Sequence, residues 1–310
     1  MERIVVALGG NALLRHGDRA AYTELEARSR AAMETIAELV TPERQVAITY
    51  GNGPIVGNAL IRQQLARHVL PPMPLDVCGA ESQGSVGYLL ERALTQLFFL
   101  KGIQRPVATL LSLVEVNPLD PAFSQPTKPV GPFLSEAEAR ELRRSVPVVL
   151  DADRGYRRAV ASPAPVRIFE SSAVDELLSA GTVVITLGGG GVPVMTDREH
   201  RIAGVEAVID KDLSSSLLAC EIGASSLIIL TDIDCVYLNF LSKQRHPVKR
   251  MSTAEAMEHL QRGEFLPGSM APKIEAGIRF LQGGGKRVWI GLPEDLPRLL
   301  QGEAGTEILR

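Results

Sequence analysis

Ile4-Val5-Val6-Ala7-Leu8-Gly9-Gly10-Asn11 runs from an uncharged, β-branched stretch into two adjacent glycines. A short apolar run closed by a glycine turn reads as a strand. The same signature returns at residues 45–49, 107–113, 182–187, 226–230 and 287–290. Between these runs the apolar period changes. Met33, Ile36, Ala37 and Val40 fall at i, i+3, i+4 and i+7, and Ile274, Ile278 and Leu281 at i, i+4 and i+7, each marking one buried helix stripe. Ser252-Thr253-Ala254-Glu255 has the form of a capping box opening another helix. Strands alternating with crossover helices give the α/β class, in the form of a three-layer αβα body around an open, mainly parallel sheet.

The rest of the composition agrees with a soluble catalyst or binding protein of small molecules. A chain of 310 residues buries about 75% of its unfolded surface. Hydrophobic residues at 45% and charged residues at 22% are near the globular average, which excludes a disordered or fibrous chain. The net charge of −3 supplies no field to hold nucleic acid or an anionic membrane. The apolar run after Met1-Glu2-Arg3 is too short for a signal peptide, and the uncharged residues 177–196 are interrupted by Gly181 and glycines 188–191, so no membrane span is expected. Cys78, Cys220 and Cys235 are odd in number and widely spaced, as in a cytoplasmic protein with reduced thiols. Residues 116–165 hold eight of the twenty prolines, against about three by chance, and read as an inserted projection.

Glycines collect after three of the strands, at Gly9-Gly10-Asn11, Gly51-Asn52-Gly53-Pro54 and 188–191. In an open parallel sheet ligands bind beyond the carboxyl ends of the strands, where bare turns and helix N-termini let amides approach phosphate. Any one of these turns alone is better read as a plain strand-to-helix turn; three together favour an anion site. The anion site is not a P-loop, because Gly284-Gly285-Lys286-Arg287 lacks both the first glycine and the hydroxyl. Gly51-x-Gly53-x-x-x-Gly57 is only a loose dinucleotide fingerprint, and His16, His68, His200, His246 and His259 show no metal spacing. Lysine is scarce, seven against 26 arginines, yet Lys128, Lys211 and Lys273 sit in compact polar settings. A compact ammonium suits charge migrating on a transferring phosphoryl group. For Lys211, flanked by Asp210 and Asp212, a surface ion pair is the competing reading.

These segments together have a family resemblance. Gly9-Gly10-Asn11-Ala12, Gly51-Asn52-Gly53-Pro54, Glu81-Ser82-Gln83-Gly84, Thr127-Lys128-Pro129, Gly155-Tyr156-Arg157-Arg158, glycines 188–191 with Val192-Pro193, Glu206-Ala207-Val208-Ile209-Asp210-Lys211-Asp212 and Gly268-Ser269-Met270 with Pro272-Lys273 closely resemble carbamate kinases of the amino acid kinase superfamily. The order of segments is the family's, from residue 4 to about 307. The resemblance implies one amino acid kinase domain over 1–310 with an eight-stranded sheet. Its acceptor lobe spans about 1–215 and carries the projection at about 116–165, its nucleotide lobe spans about 216–310, and homodimers are usual. Ala7 stands where acetylglutamate kinases and aspartokinases usually carry a lysine.

The implied activity is reversible phosphoryl transfer between ATP and carbamate, giving ADP and carbamoyl phosphate, with Mg2+ on the nucleotide phosphates. Lys211, Lys273 and Lys128 are the implied catalytic cations, with Asp212 orienting the first two. Gly9, Gly10, Asn11, Gly51, Asn52 and Gly53 are implied for the acceptor and the moving phosphoryl group, with the amides of the four glycines as donors. Gly189, Gly190, Asp232, Ser269 and Met270 are implied for the nucleotide, and no residue is implied as a protein metal ligand. Alternatives are another acyl-phosphate or small-phosphate kinase of the superfamily, or a non-catalytic metabolite-binding paralogue. The departures from the family pattern are Tyr50 and Ile55 around the second glycine turn, Ala159 and Ala161 in the projection, and a short stretch before Asp151. Ile55 replaces a glutamine and so removes an amide expected beside the acceptor.

Overall fold

Eight strands form the central sheet of the computed structural model, which describes residues 1–14, 21–150, 155–240, 242, 245–266 and 268–310. Across the sheet the order is Arg250–Ser252, Thr306–Leu309, Arg287–Gly291, Ser226–Leu230, Glu2–Leu8, Arg44–Tyr50, Val183–Thr186 and Val107–Thr109. Every pairing is parallel except Arg287–Gly291 against Thr306–Leu309. The opening strand lies inside the sheet, and its alternating side chains serve two cores. Val5 and Ala7 pack with Leu218, Ile274 and Phe280 on one face, while Ile4, Val6 and Leu8 pack with Met33, Ile36 and Leu90 on the other. Residues i and i+2 share a face of a strand, so one continuous apolar run feeds both outer helix layers.

The helical stripes form as the spacing requires. Met33, Ile36 and Ala37 are buried on the helix Tyr22–Ala37, while Val40 is buried just beyond its end. Ile274, Ile278 and Leu281 are buried on Met270–Gln282. Ser252 and Glu255 cap the helix Thr253–Gln261 reciprocally. No helix among the described residues is long and apolar enough to cross a membrane.

One expected strand divides. Residues 107–113 give Val107–Thr109 at the sheet edge and the start of Leu113–Val116, which joins a separate four-stranded sheet with Val192–Thr196, Pro165–Ile168 and Ile202–Gly204. The break falls at buried Ser112, whose amide donates to Gln83 Oε1 at 3.0 Å and whose carbonyl accepts from Gln83 Nε2 at 3.3 Å. The same carbonyl also accepts from the Val192 amide at 2.8 Å, so the Gln83 side chain takes the backbone over where the chain passes from one sheet to the other.

The proline-rich segment leaves the body where Val116 stands in register with Pro165. Within it Lys128–Leu134, Tyr156–Val160 and Val148–Leu150 make a three-stranded antiparallel sheet, with a helix, Glu136–Leu142, opened by a Ser135/Glu138 capping box. Asp151, named above for the short stretch before it, and His16 lie outside the described residues.

Candidate active site

The first two glycine turns meet at the carboxyl ends of adjacent parallel strands. A Cβ on Gly51 would stand 2.8 Å from the Gly10 amide nitrogen and 3.3 Å from Lys211 Cδ. Only glycine leaves that space open. The amides of the pair do different work, however. Gly9 N–H donates to Leu230 O at 2.8 Å and Gly51 N–H to Leu8 O at 3.0 Å, so both continue strand ladders and neither is a free donor. Gly10 and Gly53 open the helices Gly10–Leu13 and Gly53–Ala66, where the first amides have no intrahelical acceptor. The expectation of four donating glycine amides therefore reduces to two, because the first residue after a parallel strand is still held by its neighbour. Asn11 lies in the first of these helices, and its side chain is outside the described part.

The lysines converge on two aspartates. Asp210 is the N-cap of the helix Lys211–Glu221, its side chain accepting from the Asp212 amide at 2.9 Å. Its other oxygen accepts from Lys128 Nζ at 2.6 Å, bringing the projection onto the body. Asp212, with a side chain only 4% exposed, accepts from Lys211 Nζ through one oxygen and from Lys273 Nζ at 2.9 Å through the other. Burial pushes the Asp212 carboxyl up, but the two ammonium groups outweigh it and hold it far below the usual carboxylate range. Burial also pulls both lysines down. For Lys273 the Asp212 charge prevails and the net shift is upward, whereas Lys211, beside a second cation, ends below the ordinary lysine value. Three ammonium groups, Lys128, Lys211 and Lys273, meet the two carboxylates of Asp210 and Asp212, so the cluster carries surplus positive charge at the glycine turns.

Hydroxyl groups fix the helix that carries Lys211. Thr49 and Ser215 share a buried hydrogen bond of 2.6 Å, and Ser214 donates to Gly190 O at 2.7 Å.

Residues 2–291 match the Amino acid kinase family. A carbamate kinase of Trichomonas vaginalis is 42% identical over 312 residues, covering 99% of this chain and 99% of the relative. One from Pyrococcus horikoshii is 41% identical over 311 residues, again with 99% of each covered. The chain belongs to the carbamate kinase family. A solved carbamate kinase from Giardia lamblia bound to AMP-PNP superposes with a TM-score of 0.91 at 36% identity, covering 99% of this chain and 98% of that one. The family's eight-stranded αβα architecture is the one described above.

Asp232, Ser269 and Met270 line one narrow cleft with Tyr237 and Phe240, beyond the strand Ser226–Leu230. Gly189 and Gly190, implied for the same nucleotide, lie on a different turn. Their turn follows Val183–Thr186, three strand intervals or roughly 14 Å from Ser226–Leu230. A Cβ on Gly189, at φ +66°, would stand 1.9 Å from Asn52 Oδ1, and one on Gly190 would stand 2.7 Å from Ile209 O. The turn thus packs on the Gly51 side of Lys211. Asn52 is 2% exposed, donates to Ser82 Oγ and has no partner for Oδ1; its side chain supports this turn instead of reaching into open space.

The two departures at the second turn are packing residues. Tyr50 is buried, donates to Gln83 O at 2.8 Å and fills the space beside Gly188. Burial pushes its phenol well above the usual range. Ile55 packs against the core cluster containing Ile4, Val6 and Tyr50, so the expected loss of an acceptor contact at this position gives way to a hydrophobic one. Three residues escaped the sequence reading. Asp210 counted only as a neighbour of Lys211, and its link to Lys128 spans 82 residues. Tyr237 and Phe240, edge to face at 6.1 Å, carried a usable signal as two of the few aromatics, set just after Asp232.

Proposed function

We propose that the surplus charge at Lys211 and Lys273 receives the phosphoryl group as it passes between carbamate and ADP. The chain is an ATP:carbamate phosphotransferase in its family relations. The observation that carries the site assignment is the convergence of three of the seven lysines, through Asp210 and Asp212, on the turn where Gly51 leaves Gly10 N–H unobstructed. The acceptor carboxylate is already a nucleophile and needs no general base. Rate comes from alignment and from fixed charge meeting the developing charge. Gly10 and Gly53 amides hold acceptor and phosphoryl oxygens. Lys211 and Lys273 follow the charge from donor to acceptor, and Asp212 keeps both in place. The nucleotide lies along Asp232, Ser269 and Met270, with its base against Tyr237 and Phe240. In this reading the acceptor lobe spans about 1–215 and the nucleotide lobe about 216–310.

The described residues form no three-ligand cluster for a metal, and the oxygens of Asp210 and Asp212 already receive lysines or an amide. In this reading magnesium comes in on the nucleotide phosphates as part of the substrate, and no step is assigned to a protein-held ion. The direct test is ATP formation from ADP and carbamoyl phosphate, compared with acetyl phosphate. Equal or better use of acetyl phosphate would select the alternative acyl-phosphate kinase reading, and no use of either would select the non-catalytic one.

Lys128 reaches the site from the projection. Lys128→Ala is expected to lower kcat/KM for carbamoyl phosphate by about tenfold or more, the scale of a lost charge-assisted contact, and to leave ADP affinity unchanged. Equal weakening of both ligands by calorimetry would place this lysine at the nucleotide instead.

A homodimer is part of the same proposal. Val107–Thr109 is an unpaired edge of the main sheet, and a groove of about 790 Å³ beside it is lined by Tyr88, Phe99 and Leu111. Phe99 is 86% exposed and Leu100 71%, which suits a face covered by a second copy. Light scattering should give twice the chain mass, falling to one chain mass in Phe99→Arg.

A further inference from the structure

The root of the projection is anchored without any charge. Val130 and Val160, on its paired strands Lys128–Leu134 and Tyr156–Val160, pack with Val56, Leu75 and Val208, and the Val208 amide donates to Ala161 O at 3.0 Å. This holds the backbone of Lys128, which stands opposite Val160 in the strand pair. It does not hold the ammonium, which ends a long flexible stem whose freedom is costly to remove.

Asp210 supplies that second hold. Its carboxylate is itself fixed, because one oxygen accepts from the Asp212 amide at 2.9 Å as N-cap of the helix Lys211–Glu221 while the other accepts from Lys128 Nζ at 2.6 Å. Burial pushes this carboxyl up, but the neighbouring Lys128 charge brings it below the usual carboxylate range, so it is ionised at neutral pH. The Lys128 side chain stays 30% exposed, against 12% for Lys211 and Lys273, and its bond to Asp210 leaves further N–H groups for an anion. A second pair between projection and body, Arg158 with Glu206, is longer at 3.4 Å and more open to solvent, which gives it little weight.

We propose that Asp210 is a positioning residue for the acceptor, tying the Lys128 ammonium to the first turn of the helix that carries Lys211 so that two lysines from distant segments meet one acceptor in fixed register. The proposal rests on the functional reading above. A role in charge balance alone predicts the opposite sign, because removing a carboxylate from a cationic site strengthens its hold on both anionic substrates.

Asp210→Asn separates the two. Asparagine caps a helix as well as aspartate does, and with its oxygen kept on the Asp212 amide it turns its NH2 toward Lys128, donor against donor. The variant is expected to raise the KM for carbamoyl phosphate about fivefold, to lower kcat by less than that, and to leave the KM for ADP unchanged. Combined with Lys128→Ala, it should add no more than about twofold to the loss in Lys128→Ala alone, since the residue acts through that lysine. Glu206→Gln should show none of these effects. A readout without substrate is acetylation of Lys128 by acetic anhydride, followed by peptide mass spectrometry and referred to the exposed Lys101. It should quicken several-fold in Asp210→Asn, where the carboxylate no longer holds the ammonium. The proposal is overturned by a fall in KM for both substrates, by losses that multiply in the double variant, by an equal effect of Glu206→Gln, or by unchanged acetylation. A hundredfold loss of kcat in Asp210→Asn would assign the residue to the helix cap beneath Lys211 and overturn it too. Absence of carbamoyl phosphate turnover in wild type would refute the functional reading, while acetylation would still decide whether Asp210 holds Lys128.

Discussion

Lys211→Ala keeps its fold and loses about a hundredfold or more in turnover, the usual loss for removing one preorganised donor from developing charge. This ammonium stands at the meeting point of the two glycine turns, and its side chain is only 12% exposed. Its pH behaviour separates it from an ordinary lysine. Burial lowers its pKa, so the charge is present below that value and is lost as pH rises through it, short of the usual value of about 10.4. Turnover should therefore fall on the alkaline side earlier than free lysine chemistry requires. Lys273, shifted upward, keeps its charge over the same interval. Lys211→Arg should flatten that alkaline limb even at a reduced rate, because a guanidinium does not titrate there. Retention of more than about a third of wild-type turnover in Lys211→Ala would place the chemistry elsewhere.

The second large effect is on stability as well as rate. Asp212→Ala takes from buried Lys211 and Lys273 the one carboxylate that both hydrogen-bond, and breaking a buried pair from one side costs about 3–5 kcal/mol. Denaturant unfolding should show a loss of that size, accompanied by a collapse of turnover. Removing Lys211 together with Asp212 should restore part of the stability, since one of the two stranded charges disappears, while turnover stays low. A stability change under about 1 kcal/mol in Asp212→Ala would mean that the two lysines are solvated and that the carboxylate does not hold them.

That carboxylate also marks how far the sequence could be read. Lys211 and Asp212 were visible as a polar island in a lysine-poor chain, and the glycine turns as anion-binding candidates, because composition and local turn chemistry are short-range properties. Asp210 was passed over because its partner Lys128 is 82 residues away, on a projection whose return to the body no local pattern encodes. Ile55 was misjudged for a related reason. A residue just inside a helix can face a ligand or the core, and the choice is made by what the fold places beneath it, here the core cluster that the inner strands build.

By itself the sequence determined the α/β class, the alternation of strands and helices and the capping box at Ser252, all of which depend on residues within a few positions of each other. Tertiary structure alone decided which glycine amides remain free. Gly9 and Gly51 spend theirs on Leu230 and Leu8, carbonyls supplied by adjacent strands, and only the strand order tells which neighbour that is. It also moved Gly189 and Gly190 away from Asp232, since the turn follows a strand three places removed in the sheet, although nothing along the chain distinguishes that turn from the others. Strand order is set by packing two apolar faces against separate helix layers, a long-range balance that no local period records.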